Sequence, residues 1–193
     1  KKRDIPLPAL GSVLSLATHQ DDAEVFLAFT SYLFPTTPYR LHLPDGDLEA
    51  LEQPAINLDV NDFEVTLEFA TSRDGTRVPH FIVSRRGLKR DGTNRTLLYG
   101  YGGFNISLTP TFSPSILGWL DRGGVYVAAN LRGGGEYGKE WHAAGTLGRK
   151  QNVFDDFVAV AEHLIGTGVT SPAHLGIQGR SNGGLLVGAA MTQ

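Results

Sequence analysis

A glycine-bounded serine motif constrains the fold of this chain more than any other feature. Residues 179–183 read Gly-Arg-Ser-Asn-Gly and follow a short apolar run around Leu175 and Ile177. A small apolar run that suits a helix, residues 185–190, comes next. Strand, G-x-S-x-G and helix in this order are typical of a nucleophile elbow, in which a strained turn exposes the serine. The sequence therefore predicts Ser181 as a nucleophile; a Gly-rich helix N-terminus capped by the serine is the alternative.

The two glycines of the motif have a steric purpose. In so sharp a turn, side chains two residues to either side of Ser181 would collide, and only glycine avoids this. The same turn points the main-chain N–H of Asn182, at the start of the helix, toward a developing oxyanion.

Composition removes several classes of function. The formal charge of −3 gives no reason to expect nucleic acid or an anionic membrane as a partner. The absence of cysteine excludes disulfides and thiolate chemistry. The six histidines are scattered without an H-x-x-x-H pair, so we expect neither a metal nor a cofactor, and His142 and His163 are interpreted as ordinary surface or core residues. No apolar run is long enough to span a bilayer, and no signal peptide is recognisable.

The first 54 residues have an all-β pattern. Strand-like runs at residues 12–17, 24–30 and 38–43 are separated by polar or Pro/Gly turns, and a weaker run covers residues 48–51. Four short antiparallel strands at this spacing make one propeller blade or part of a sandwich. A single sheet cannot bury both faces, so this segment is expected to lack neighbours, a first hint of truncation.

From residue 61 the pattern changes to an α/β order. Strand-like runs at residues 63–69 and 78–83 flank a hairpin turn at Asp74-Gly75. Strands and helices then alternate, with strands predicted at residues 96–99 and 124–129 and helices at residues 113–120, 137–144 and 152–165. This alternation predicts a parallel sheet with helices on both faces.

The helix at residues 152–165 carries an apolar stripe at 3.6-residue spacing. Asn152 is predicted to cap it, and Asp155 and Asp156 to complement its positive end. A catalytic carboxylate pair is disfavoured, because adjacent helix positions point about 100° apart.

Two glycine-rich loops follow predicted strands. Residues 100–104 lie where the oxyanion loop of an α/β hydrolase lies, with the Tyr101 phenol as a donor; a buried aromatic corner is the alternative. Residues 133–139 read GxxxxGK, but Glu140 replaces the Ser or Thr that would bind Mg²⁺. A structural glycine turn, with Arg132 paired to a carboxylate, is therefore favoured over a phosphate-binding loop.

Taken together, these segments make the chain similar to the prolyl oligopeptidase family of serine peptidases. The matching stretches are SRDGTRVP, LLYGYGGFNISLTPTFS, LRGGGEYGKEWHAAG, QNVFDDFVAVAEHLI and GRSNGGLLVGAA. The resemblance implies an incomplete α/β-hydrolase core preceded by all-β strands from the end of a β-propeller. It places the propeller part in residues 1–54 and the peptidase part in residues 55–193, truncated after the elbow.

The resemblance also implies roles for single residues. Ser181 would be the acylating nucleophile, and the Asn182 N–H and the Tyr101 hydroxyl would hold the oxyanion. Phe104 and the Asn182 side chain would help to line the pocket for a proline. Arg180 departs from the glycine of many members and adds bulk and positive charge beside the nucleophile.

The implied function is a serine endopeptidase that cleaves short proline-containing peptides after proline, cytoplasmic or, alternatively, periplasmic. A related oligopeptidase or acylaminoacyl-type hydrolase is one alternative, and a non-catalytic α/β fragment that serves binding or assembly is another. The 12 residues after Ser181 contain neither Asp nor His, so the triad is expected to be incomplete and the chain alone nearly inactive. Unpaired sheet edges predict self-association.

Overall fold

The computed structural model describes residues 3–52, 54–56 and 58–193, which form two compact units. The first unit runs to Asn61 and also takes in Thr109–Gly118. The second comprises Asp62–Leu108 and Trp119–Gln193. The predicted domain division after residue 54 stays a prediction.

The first unit contains a four-stranded antiparallel sheet in the order β1-β2-β3-β4. Its strands are β1 (Ser12–Ala17), β2 (Glu24–Thr30), β3 (Thr37–His42) and β4 (Leu48–Ala50). The predicted all-β pattern is confirmed, including the weak fourth strand. The period-two pattern decides its faces: Leu27 and Phe29 are buried with Tyr39, which pairs with Leu27, whereas Phe26 points to the other face and is exposed.

The second unit is built on a five-stranded sheet in the order β5-β6-β8-β7-β9. Its strands are β5 (Phe63–Thr71), β6 (Arg77–Arg85), β7 (Thr96–Gly100), β8 (Val125–Ala129) and β9 (Leu175–Gln178). The strands β8, β7 and β9 are parallel, whereas β5, β6 and β8 are antiparallel. The predicted hairpin and α/β order are both confirmed, and the parallel arrangement covers three of the five strands.

Among the residues that the structure describes, four α-helices accompany the strands: α1 (Pro114–Asp121), α2 (Gly138–Ala143), α3 (Gln151–Gly166) and α4 (Asn182–Thr192). The apolar stripe of α3 is buried as predicted, with Phe157 and Val160 packed in one core with Leu98 of β7, Val127 of β8 and Leu186 of α4. No helix in the described part of the chain has the length and apolar character needed to cross a membrane.

Two predictions about the start of α3 are wrong. Lys150 occupies the N-cap position, and the Asn152 side chain instead donates to the Ala144 carbonyl over 2.8 Å. The first turn contains no acidic residue, and Asp156 is fully buried. Asp156 therefore serves a buried ion pair, described below, rather than the helix dipole.

The parallel strands determine where a site can form. In register, Tyr99 of β7 lies beside Gln178 of β9, and Gly100 lies beside Ala129 of β8. The loops that leave the three strands therefore emerge at one edge of the sheet, where ligands bind in open α/β sheets.

Candidate active site

Ser181 stands between β9 and α4 in a strained backbone conformation. Its φ of 54° and ψ of −119° lie in a region that residues with a side chain rarely adopt. The residue is exposed, and its hydroxyl makes no hydrogen bond to any described residue, including the helix N-terminus it precedes. This finding contradicts the alternative of a capping serine and leaves the hydroxyl free for chemistry.

Close packing of main chain explains the two glycines of the motif. A Cβ at Gly179 would overlap the carbonyl of Gly183, and a Cβ at Gly183 would lie 2.6 Å from the Gly100 carbonyl oxygen. The chain turns back through hydrogen bonds from Gly183 N to the Arg180 carbonyl and from Gly184 N to the Ser181 carbonyl, both 2.8 Å long. The predicted collision is confirmed, and it involves the β7 end as well as the turn itself.

The loop that follows β7 is fastened to the elbow by Asn182. The Asn182 Nδ2 donates to the Tyr101 carbonyl over 2.6 Å. Gly103 passes so close that a Cβ there would lie 2.5 Å from the same Nδ2. The main chain of Tyr101 is thus held beside the nucleophile turn. Its hydroxyl, like the Asn182 main-chain N–H, makes no hydrogen bond to the described residues.

Lys150 also holds the loop after β7 to the elbow, a role that the sequence analysis did not predict. Its Nζ donates to the Gly102 carbonyl over 2.7 Å and to Asn182 Oδ1 over 3.4 Å. Burial lowers the pKa of this ammonium group from its ordinary value. A lysine just before a helix carries no sequence signal for this role, because its partners lie 48 and 32 residues away.

The loop after β8 is anchored by a buried ion pair. The Arg132 guanidinium contacts the Asp156 carboxylate through Nε and Nη2, and the Arg132 main-chain N–H donates to Asp156 Oδ2 over 3.1 Å. Asp74, at the β5–β6 turn, binds the Nη1 of the same guanidinium. The interpretation of residues 133–139 as a structural glycine turn with Arg132 paired to a carboxylate is confirmed.

An open cleft of about 460 Å³ borders the elbow. Asn182 and Phe104 contribute to its wall, together with Gly103, His142, Gly145, Thr146, Leu147 and Lys150. Phe104 has a φ of 53° and is 74% exposed, so its ring is presented to solvent instead of being buried in a core. The alternative of a buried aromatic corner does not hold for this ring.

The structure thus brings together the elbow, the Tyr101 loop and Phe104, while the other candidates lie elsewhere. His142 Nδ1 is 2.7 Å from the Gly133 carbonyl, which positions the glycine turn. His163 lies against Glu68 and His80, and these three form a cluster able to hold a metal ion, which spacing along the chain did not reveal. His174 contacts Ser171 at the beginning of β9, the end opposite to Ser181.

Comparison with known families gives two matches that agree. The profile of the prolyl oligopeptidase family matches residues 110–193. The profile of the prolyl oligopeptidase N-terminal β-propeller domain matches residues 1–54.

Individual relatives are similar over nearly the whole chain. A prolyl endopeptidase of Elizabethkingia miricola is 45% identical over 190 residues, which is 98% of this chain and 27% of the relative. A solved structure from a study of two prolyl endopeptidases superposes with a TM-score of 0.94 at 50% identity, covering all of this chain and 28% of the other. Prolyl oligopeptidase B from Galerina marginata, bound to a 35-residue hydrolysis and macrocyclisation substrate, gives a TM-score of 0.88 at 38% identity, covering 95% and 26%. The chain therefore spans about a quarter of the length of the relatives it matches.

Proposed function

This chain belongs to the prolyl oligopeptidase family. From this premise we propose that it is part of a serine endopeptidase that cleaves short peptides after proline. The observation that carries the proposal is the conformation of Ser181, strained, exposed and without a hydrogen bond from its hydroxyl. Backbone strain of this kind persists where a function requires the geometry.

The proposed reaction proceeds through an acyl-enzyme. The Ser181 Oγ attacks the carbonyl carbon of the scissile bond, and its proton passes to a general base and then to the leaving amine. The negative charge that develops on the carbonyl oxygen is held by the Asn182 N–H and the Tyr101 hydroxyl. Water then attacks the ester and releases Ser181.

The described residues place no general base beside Ser181. A serine hydroxyl is a weak nucleophile at neutral pH without a proton acceptor. Since no described residue accepts a hydrogen bond from Ser181, and the chain spans about a quarter of its relatives, we propose that an Asp–His pair outside these residues completes the triad.

Specificity is assigned to the cleft beside the elbow. The exposed Phe104 ring offers an apolar, flat surface that suits a pyrrolidine ring, and Asn182 borders the same cleft. Arg180 is exposed next to the nucleophile and would attract an acidic peptide segment. The substrate class is therefore short proline-containing peptides, in the cytoplasm or the periplasm. Association of copies through sheet edges remains part of the proposal.

Labelling by a fluorophosphonate probe tests the nucleophile. The full-length enzyme that contains this chain, and with it the proposed base, is expected to label once. Ser181→Ala should abolish labelling, whereas Ser171→Ala, which lies before β9, should label like wild type. Labelling that persists in Ser181→Ala would overturn the assignment, and a folded full-length protein that never labels would favour a non-catalytic binding module.

A peptide panel tests the specificity separately. Peptides that differ only in proline, alanine or lysine before the scissile bond are expected to be cleaved fastest with proline. Preference for lysine, or for blocked amino termini, would instead indicate a related oligopeptidase or an acylaminoacyl-type hydrolase.

A further inference from the structure

We propose that Glu68, His80 and His163 form a binding site for a divalent transition-metal ion such as Zn²⁺. Glu68 on β5 and His80 on β6 are directly paired across the two strands, and His163 on α3 packs over them. One ligand atom from each residue lies within 4.8 Å of the other two. A His₂Glu set is one of the donor combinations that Zn²⁺ takes in proteins, with the fourth position left to water.

The state of His80 is the first argument for this site. The residue is fully buried, and its Nε2 has no hydrogen-bond partner among the described residues. Its Nδ1 lies 3.4 Å from the Val78 carbonyl, which orients the ring. A buried polar atom without a partner costs about 1–3 kcal/mol, so such atoms call for an explanation. A metal-bound histidine commonly donates its other ring N–H to a main-chain carbonyl, and this is the arrangement of His80.

The spacing of the other two ligands is the second argument. His163 Nε2 and Glu68 Oε2 are 3.1 Å apart. Ligand atoms of a tetrahedral zinc ion with bonds of about 2.0–2.2 Å lie roughly 3.3–3.5 Å from each other. The pair therefore has nearly the required separation, and the His80 ligand atom, which lies within 4.8 Å of both, must move closer for the ion to bind.

The positive charge of Arg90 lies beside the proposed site and gives a further test of it. The guanidinium forms an ion pair with Glu68 Oε1 and also lies 3.5 Å from Oε2, the oxygen that faces His163. A positive charge this close repels a divalent cation. The site should therefore bind Zn²⁺ weakly in wild type and more tightly when Arg90 is neutral, the opposite of what loss of a purely structural ion pair would do.

The experiment is titration of the purified protein with ZnCl₂ by calorimetry, and with Co²⁺ while its visible absorption is recorded. One ion per chain is expected, with the Co²⁺ spectrum of a tetrahedral site. His163→Gln and Glu68→Gln should each weaken binding at least tenfold, the range in which even outer-shell partners act. His174→Gln should bind like wild type, and Arg90→Gln more tightly. His163 is only partly buried, so its variant should fold, which circular dichroism checks.

Two results would overturn the proposal: no bound ion in either wild type or Arg90→Gln, or equal affinity in wild type and in a folded His163→Gln. Neither measurement uses peptidase activity, so the metal site and the proposed reaction are tested independently.

Discussion

Asn182 Nδ2 donates a hydrogen bond to the main-chain oxygen of Tyr101 over 2.6 Å, and this bond ties the nucleophile turn to the loop expected to hold the oxyanion. Asn182 thus contributes twice, through a free main-chain N–H and through a side chain that holds the Tyr101 loop. The two contributions can be separated, because a side-chain substitution leaves the N–H in place.

Asn182→Ala is expected to lower kcat/KM for a proline peptide about tenfold, since one hydrogen bond to the oxyanion loop is worth about 1 kcal/mol and the substitution also removes one of the two acceptors of Lys150 Nζ. Steady-state kinetics of the active protein measure this. Thr192→Ala, at the far end of α4, is the matched control and should leave kcat/KM unchanged. An unchanged rate in Asn182→Ala would show that the Tyr101 loop needs no such fastening.

Gly183→Ala and Gly184→Ala form a second matched pair. The first Cβ would lie 2.6 Å from the Gly100 carbonyl oxygen, whereas the second meets open space. We expect Gly183→Ala to destabilise the protein by about 1–3 kcal/mol through overpacking and to slow fluorophosphonate labelling. Gly184→Ala should be neutral or stabilising by up to about 1 kcal/mol, because alanine favours the helix. Urea unfolding measures both, and equal effects would contradict the packing argument.

Asp156→Asn is expected to destabilise the protein by about 3–5 kcal/mol, the usual result of removing one partner of a buried ion pair. Asp156 is fully buried, and Arg132 is nearly so. The neighbouring Asp155→Asn, whose carboxylate accepts a hydrogen bond from Gln151 at the surface, should change stability by no more than about 0.5 kcal/mol. Denaturant midpoints measure the stability of both variants. Similar losses of stability would show that the first turns of α3 matter, and not the ion pair.

Asp74 gives a pH dependence with a defined sign. Its hydrogen bond with Arg132 lowers the pKa of the carboxyl from 3.8 to about 2. A carboxyl with a depressed folded pKa stabilises the protein above its unfolded pKa, and this contribution is lost as the pH falls through the folded pKa. The stability difference between wild type and Asp74→Asn should therefore shrink between about pH 4 and pH 2. Thermal melts across this range measure it, and a constant difference would contradict the pairing.

The elements of this chain could be predicted from local pattern, because each depends on neighbours in sequence. Period-two alternation gave the β5–β6 hairpin, and the stripe of Phe157 and Val160 gave α3. The elbow could be predicted as well, since Gly179 and Gly183 carry its steric requirement in the motif itself.

The long-range polar contacts could not be predicted in this way. Asp156 looked like a helix-dipole residue, but its partners Arg132 and Ser72 come from positions 24 and 84 residues away. His80 and His163 are 83 positions apart in sequence and meet only because α3 crosses the β5–β6 hairpin. Such pairings depend on tertiary packing, which no local spacing encodes.

The Arg132 ion pair has a consequence for how the protein reaches its working form. It joins the end of β8, the β5–β6 turn and α3, so the glycine turn beyond it acquires a fixed path only after these distant segments have docked. Closing so many long loops is slow and occurs late in folding. We therefore expect the glycine turn to become ordered late in folding. Chains that have not completed this step should keep most of their secondary structure, yet remain susceptible to proteolysis at residues 133–138.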